Sequence, residues 1–169
     1  EGGHGSAGLA MHIANVLGEK GTLISVEVRD EHAQVGKQNM DRLKEIIPEF
    51  PDWHLLVGDL VDVEDKVTKI CGNIDAAIID MAEPWTVINS IIPTIRIGGR
   101  IACYCPTTSQ LEKSWNACED AGLEVEWAGE MIERKWSKAS KGGVRPGNQP
   151  MGHTAFLLIA AKIASEEEE

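Results

Sequence analysis

Glu1-Gly2-Gly3-His4-Gly5-Ser6-Ala7-Gly8-Leu9 is a glycine-rich elbow that runs into an apolar helix, and Glu27 closes an apolar strand beyond it. Gly3 and Gly5 let the backbone turn tightly and come close to a ligand, and an acid roughly twenty residues on can accept hydrogen bonds from a ribose diol. The order of elbow, helix, strand and acid is that of a site for an adenosine-containing cofactor. The third regularly spaced glycine of a dinucleotide site is missing, which favours a cofactor without a pyrophosphate, S-adenosyl-L-methionine. Glu1, Gly3, Gly5, Ser6, Ala7 and Glu27 are the residues expected to form this site; the alternative is a structural turn.

Three further groups carry polar chemistry. Asp59, in Gly58-Asp59-Leu60, can accept from the adenine amino group of the cofactor, or can simply stabilise a turn. Asp80-Met81-Ala82-Glu83-Pro84-Trp85 sets a carboxylate before a proline and an aromatic. A base could stack there; were it adenine, its N1 lone pair would attack an activated methyl in line. Asp80 would hold the exocyclic amine and offset the positive charge that develops on the ring, besides touching the cofactor. The structural alternative makes Asp80 a helix cap and Trp85 core packing. Tyr104-Cys105-Pro106 and Gln110 offer an aromatic face and an amide, although Tyr104 serves equally well as packing.

The elements that must position these groups alternate. Helices are expected over 7–17, with Leu9, Ile13, Val16 and Leu17 as an apolar stripe, and over 31–47, with Val35, Met40, Leu43 and Ile47 inward. Others are expected over 62–70, over 84–92 behind a first-turn proline, and over 109–121. Strands are expected over 22–27, 54–57, 74–80 and 100–104, with a closing antiparallel pair over 124–136 and 155–162. The fold class is α/β, a Rossmann-like, largely parallel sheet. Ligands in such sheets bind beyond the carboxyl ends of the strands, which gathers Glu27, Asp59, Asp80 and Tyr104 along one rim. A strand is also required ahead of the elbow, and the chain opens on the elbow itself. The expectation is an N-terminally truncated fold, with unpaired backbone groups and a core gap where that strand belongs.

Between the closing strands, 137–151 is rich in glycine and proline and is expected to be an exposed, mobile loop. Trp136, Arg145 and His153 flank it, and Arg134, Lys135, Lys138, Lys141 and Arg145 form a local basic cluster that could face an anionic substrate or be solvated surface. Arg145 is the candidate phosphate contact. For His153 a structural hydrogen bond is the expected role.

A net charge of −11 argues on its face against a nucleic-acid partner. The terminal Glu166–Glu169 run contributes four of those charges as a solvated tail, which weakens that exclusion. The chain is long enough for one domain, 1–165, followed by this tail. No apolar stretch suits a membrane span. Cys71, Cys103, Cys105 and Cys118 have neither paired nor metal-ligand spacing and read as reduced, mostly buried thiols of a cytosolic protein. The five histidines have no partners at zinc-site spacing, so no metal is expected.

Taken together, the elbow, Glu27-Val28-Arg29 through His32-Ala33 to Asn39, Asp80 to Trp85, Tyr104-x-Pro106-x-x-x-Gln110, Arg145-Pro146 and Gly152-His153-Thr154-Ala155-Phe156-Leu157 resemble the catalytic subunit family of tRNA adenine-58 N1-methyltransferases. The Asp80 block looks like the actinobacterial form. The resemblance implies a class I S-adenosyl-L-methionine-dependent fold, S-adenosyl-L-homocysteine as product, an adenine of the tRNA T-loop as acceptor, and a homotetramer. It implies that Glu27 and Asp59 hold the cofactor's ribose and adenine and that Asp80 contacts the target adenine, with Pro84, Trp85, Tyr104, Gln110, Arg145 and His153 on the substrate side. The family's small N-terminal β domain has no counterpart in these residues. Two other readings stay open: a small-molecule methyltransferase of the precorrin-modifying kind, and a non-catalytic RNA-binding subunit.

Overall fold

The computed structural model describes residues 1–147, 152 and 154–164. His153 and the acidic tail lie outside the described residues. The elements run α1 (Gly8–Leu17), β1 (Thr22–Glu27), α2 (Asp30–Ile46), β2 (Asp52–Val57), α3 (Glu64–Cys71), β3 (Ile74–Ile79), α4 (Ile88–Ile91), β4 (Ile95–Cys105), α5 (Thr108–Asp120), β5 (Leu123–Gly129), β6 (Trp136–Lys138), β7 (Val144–Pro146) and β8 (Phe156–Lys162). β1 pairs with β2 and β3 with β4, both parallel, while β8 lies antiparallel between β4 and β5. The α/β class and the closing antiparallel pair are as the sequence predicts.

Side chains alternate across β1. Leu23 packs with Ala10, Ala14 and Met40 of the α1/α2 face, and Ile24 and Val26 pack with Val63 and Val67 on the α3 side. The largest cluster joins Ile79, Ile101, Cys103 and Leu158 of the sheet to Val87, Ile88 and Cys118. Three of the cysteines are buried and Cys71 is exposed.

Among the described residues, those that pair between β1 and β3 are the first of the chain. Gly2 bridges Val26 on one side and Ile79 on the other. Its N–H donates to the Ile78 carbonyl and its own carbonyl accepts from Asp80, both at 2.8 Å. Since Gly2 reaches both neighbours, the slot it enters is one strand wide. The rest of that slot is a cavity of about 410 Å³, lined by Leu17, Leu23, Ile24, Ala76 and Ile91 among others. This is the core gap the sequence leads one to expect.

Several elements differ from expectation. Val16 and Val35 are exposed, and the faces turned inward are Ala10 and Ala14 on α1 and Ala33, Gly36 and Met40 on α2. Small residues let these helices lie close on the sheet, and closeness decides the buried face there. The helix expected over 84–92 is broken into a 3₁₀ turn at Pro84–Thr86, the single turn α4 and another 3₁₀ turn at Ile92–Thr94. Branched Val87, Ile88, Ile91 and Ile92 disfavour a continuous helix, and Pro93 just beyond them prevents its extension. β4 begins five residues early and runs through Gly98-Gly99. β5 stops at Gly129, and part of the expected loop is instead the hairpin of β6 and β7.

Candidate active site

The elbow is fixed by backbone geometry. The N–H groups of Gly3 and His4 both donate to the Val26 carbonyl, at 3.0 and 3.1 Å, and Gly3 has φ +89°. A side chain at Gly3 would collide with the Asp80 carbonyl, so the elbow can lie against the end of β3 only as glycine. Ala7, just before α1, holds φ +70°, the single non-glycine with positive φ among the described residues. Strain at this entry is consistent with a conformation dictated by its surroundings. The Asn39 side-chain amide on α2 ties the elbow down by donating to the Ser6 carbonyl at 2.9 Å.

Glu27 ends β1 with its carboxylate aimed at the elbow. Oε2 accepts from the Gly5 N–H at 2.8 Å, and Oε1 accepts from the Arg29 N–H at 3.0 Å and from Arg29 Nε at 3.4 Å. Burial on its own would raise this carboxyl. The backbone amides of Arg29 and Gly5 and the Arg29 guanidinium outweigh that effect and hold it below the ordinary range. A carboxylate oxygen has capacity beyond one amide, so Glu27 can still accept from vicinal hydroxyls.

Asp59, Asp80 and Tyr104 take their places at the ends of β2, β3 and β4, so the strand-end rim forms as predicted. Asp59 Oδ1 accepts from the Val61 N–H at 3.1 Å and caps a 3₁₀ turn, which realises the turn role weighed above while leaving the residue exposed. Asp80 is exposed, and its carboxyl is raised by partial burial and then by the nearby Glu1 charge. Tyr104 is 41% exposed, so it is not core packing.

Beyond Asp80, Pro84 is buried and anchors the turn that carries Trp85. The Lys113 ammonium lies 4.5 Å from the Trp85 ring centroid, which occupies part of that aromatic surface. Gln110 is committed to structure at both ends. Its Oε1 accepts from Thr107 in the capping box of α5, and its Nε2 donates to the Ala82 carbonyl at 2.9 Å. Gln110 therefore shapes the Asp80 loop. Glu1 also differs from expectation: its side chain has no exposed surface and faces His4 and Ser25, so it acts on the elbow from beneath.

Arg145 sits on β7, paired with Ser137 of β6, in the hairpin inserted between the end of β5 and the start of β8, which lie beside Tyr104 and Cys105 at the end of β4. The residues sequence reasoning passed over are Arg29, Asn39, His4 and Lys113. Arg29 and Asn39 stand inside the block that carries the family resemblance, which was their only signal; Lys113 had none, since a lysine on a helix surface is ordinary.

A sequence model of the family described as "tRNA methyltransferase complex GCD14 subunit" matches residues 1–138. The chain belongs to this family. This GCD14-family chain is 28% identical over 179 residues to the tRNA (adenine(57)-N(1)/adenine(58)-N(1))-methyltransferase TrmI of Methanocaldococcus jannaschii, covering 95% of this chain and 62% of that protein. It is also 28% identical over 158 residues to the tRNA (adenine(58)-N(1))-methyltransferase TrmI of Thermus thermophilus, covering 94% of this chain and 58% of that protein. Its fold matches that of a SAM-dependent O-methyltransferase from Thermotoga maritima with a TM-score of 0.78 at 24% identity, covering 97% of this chain and 58% of that one. The fold is thus that of the class I methyltransferases, and the chain spans about three fifths of the length of these curated relatives. Among the described residues no helix is long and apolar enough to cross a membrane, and no group of three His, Cys, Asp or Glu could hold a metal ion.

Proposed function

We propose that this chain is the cofactor- and acceptor-binding domain of an enzyme that transfers a methyl group from S-adenosyl-L-methionine to N1 of an adenine in the tRNA T-loop, at position 58. The observation that carries the proposal is the meeting of Glu27, the Gly5 amide and Asp80 at one end of β1 and β3. When bound, the cofactor supplies an electrophilic methyl group. Glu27 accepts from its ribose hydroxyls and Asp59 from its adenine amino group. Gly3, Gly5, Ser6 and Ala7 form the elbow that would cradle the cofactor, held against the end of β3 where Gly3 leaves no room for a Cβ, with Glu1 supporting it from below.

Asp80 accepts from the exocyclic amine of the acceptor adenine and presents negative charge to a ring that becomes cationic as its N1 lone pair is alkylated. No base is needed, because N1 of neutral adenine carries no proton. Trp85 and Tyr104 give the base apolar surface, while Pro84 and Gln110 hold the loop that carries Trp85. Arg145, with Trp136 and Lys138 on the same exposed hairpin, contacts the phosphate backbone. The protein works in the cytoplasm as a homotetramer without a metal, by likeness to its family.

Purified protein, S-adenosyl-L-methionine and unmodified tRNA should yield 1-methyladenosine at position 58, located by mass spectrometry of nuclease fragments, and EDTA should leave the yield unchanged. Methylation of a small-molecule acceptor with none of tRNA would overturn the assignment.

A further inference from the structure

His4 is the residue of the elbow that cofactor chemistry leaves unexplained. It stands between two glycines, its side chain is fully buried, and neither ring nitrogen has a hydrogen-bond partner within the protein. Its Nδ1 lies 3.4 Å from Oε1 of Glu1, an ion-pair distance without hydrogen-bond geometry, and the Glu1 side chain is equally buried. The other Glu1 oxygen accepts from Ser25 Oγ at 3.2 Å, and that hydroxyl in turn accepts from Trp53 Nε1 at 3.0 Å. The His4 and Trp53 rings are 5.8 Å apart and tilted by 33°. From α2, Gly36 closes the site; any side chain there would collide with the imidazole.

A buried carboxylate is costly unless something offsets its charge, and the imidazole 3.4 Å away is placed to do so. If packing were the whole role, an apolar residue would fill this site at no electrostatic cost. The carboxylates on the elements around it are Glu1 in the elbow, Glu27 on β1 and Asp80 at the end of β3. α2 contributes Gly36 and β2 contributes Trp53, neither of which titrates. We propose that His4 is a positioning residue whose imidazole, paired with the buried Glu1 carboxylate and clamped between α2 and Trp53, holds the elbow in the shape that aims the Gly5 amide at Glu27. Its consequence for cofactor affinity rests on the reading of the elbow given above; its effect on the elbow itself does not.

The test is a double-mutant cycle on the purified protein, with hydrogen exchange of the Gly5 amide as the first readout and S-adenosyl-L-methionine titration as the second. His4→Leu should speed Gly5 exchange at least tenfold and weaken the cofactor by a similar factor, and adding Glu1→Gln should restore most of both, because the pair then leaves no stranded charge. A conservative His4→Gln should hold Gly5 better than His4→Leu. Additive effects of the two substitutions, or an unchanged Gly5 in His4→Leu, would overturn the proposal. Should His4→Leu fail to fold, ¹⁵N spectra of the wild-type ring decide: Nδ1 must carry a proton toward Glu1, and a ring without one removes the role. Coupling at Gly5 in a protein that binds no S-adenosyl-L-methionine would keep His4 as positioning residue and reject the cofactor reading instead.

Discussion

β1 and β3 end in two different ways. At their carboxyl ends they are stitched together through Gly2, Gly3 and His4, and the charged groups Glu27 and Asp80 stand on that seam. At the other end the same two strands face each other across the 410 Å³ cavity with no strand between them among the described residues. The comparison teaches that, among the described residues, the candidate site rests on the backbone pairing of Gly2, Gly3 and His4.

Changing the chemistry at the seam should produce the largest effect. Asp80→Ala should lower methyl transfer to tRNA by about 10²-fold or more, the scale of losing one preorganised electrostatic group, with affinity for the cofactor changed far less. Single-turnover rates and calorimetric titration separate the two. Because Asp80 is raised by burial and by the Glu1 charge, its ionised form is complete only above the ordinary carboxylate range, so the wild-type rate should climb with pH through that raised value. An Asp80→Ala protein should lose that limb, and a wild-type rate flat across it would break the assignment.

The next largest effect should come from the backbone. Gly3→Ala meets both a positive φ and the Asp80 carbonyl, whereas Gly142 on the β6–β7 turn has φ +92° and nothing within 4 Å of its would-be Cβ. Gly142→Ala should cost about 1–2 kcal/mol for the left-handed conformation alone. Gly3→Ala should cost clearly more in thermal unfolding, and should detach the elbow from β3 so that cofactor binding is lost. Equal losses at the two sites would mean that the seam is no tighter than a surface turn.

How far the site was legible in the sequence follows the same division. The rim was legible because it depends on strand order, and a strand's end can be located from an apolar run and the polar residue after it; Glu27, Asp59, Asp80 and Tyr104 all land where that logic puts them. The inward faces of α1 and α2 were legible in part: Ile13, Met40 and Leu43 pack inward as the stripe predicts, while Val16 and Val35 do not, because these helices also bury Ala10, Ala14, Ala33 and Gly36 against a close sheet. Gln110 was legible as a residue near the loop but not as a clamp, since its bond to Ala82 spans 28 positions of sequence, whereas its capping box with Thr107 is local. The β6–β7 hairpin was hidden by composition: glycines that read as a loop supply the positive φ its turn requires.

A smaller effect is expected at Glu27 on acidification. Its folded carboxyl lies below the ordinary 4.5, so the stability it contributes is complete above that value and is lost as pH falls through the lower folded one. Protonation weakens the acceptors of the Gly5 and Arg29 amides, bonds worth on the order of 1 kcal/mol each. Denaturant midpoints measured from pH 6 downward should therefore fall less steeply in Glu27→Gln than in wild type. Parallel curves would show that the Gly5 contact adds nothing to the seam.

The smallest effect should be at the open end, where the comparison can be sharpened by the same substitution in two places. Ala76 on β3 is exposed and lines the cavity, while Ala160 on β8 has no accessible surface and packs among the sheet residues of the main core. Ala160→Val forces two methyl groups into filled space and should cost about 1–3 kcal/mol. Ala76→Val adds the same groups to space that is empty, at a strand position that suits a branched side chain, and should move stability by no more than about 0.5 kcal/mol. Chemical denaturation of both variants measures the difference directly. A large loss at Ala76 would mean that this space is filled in the folded protein.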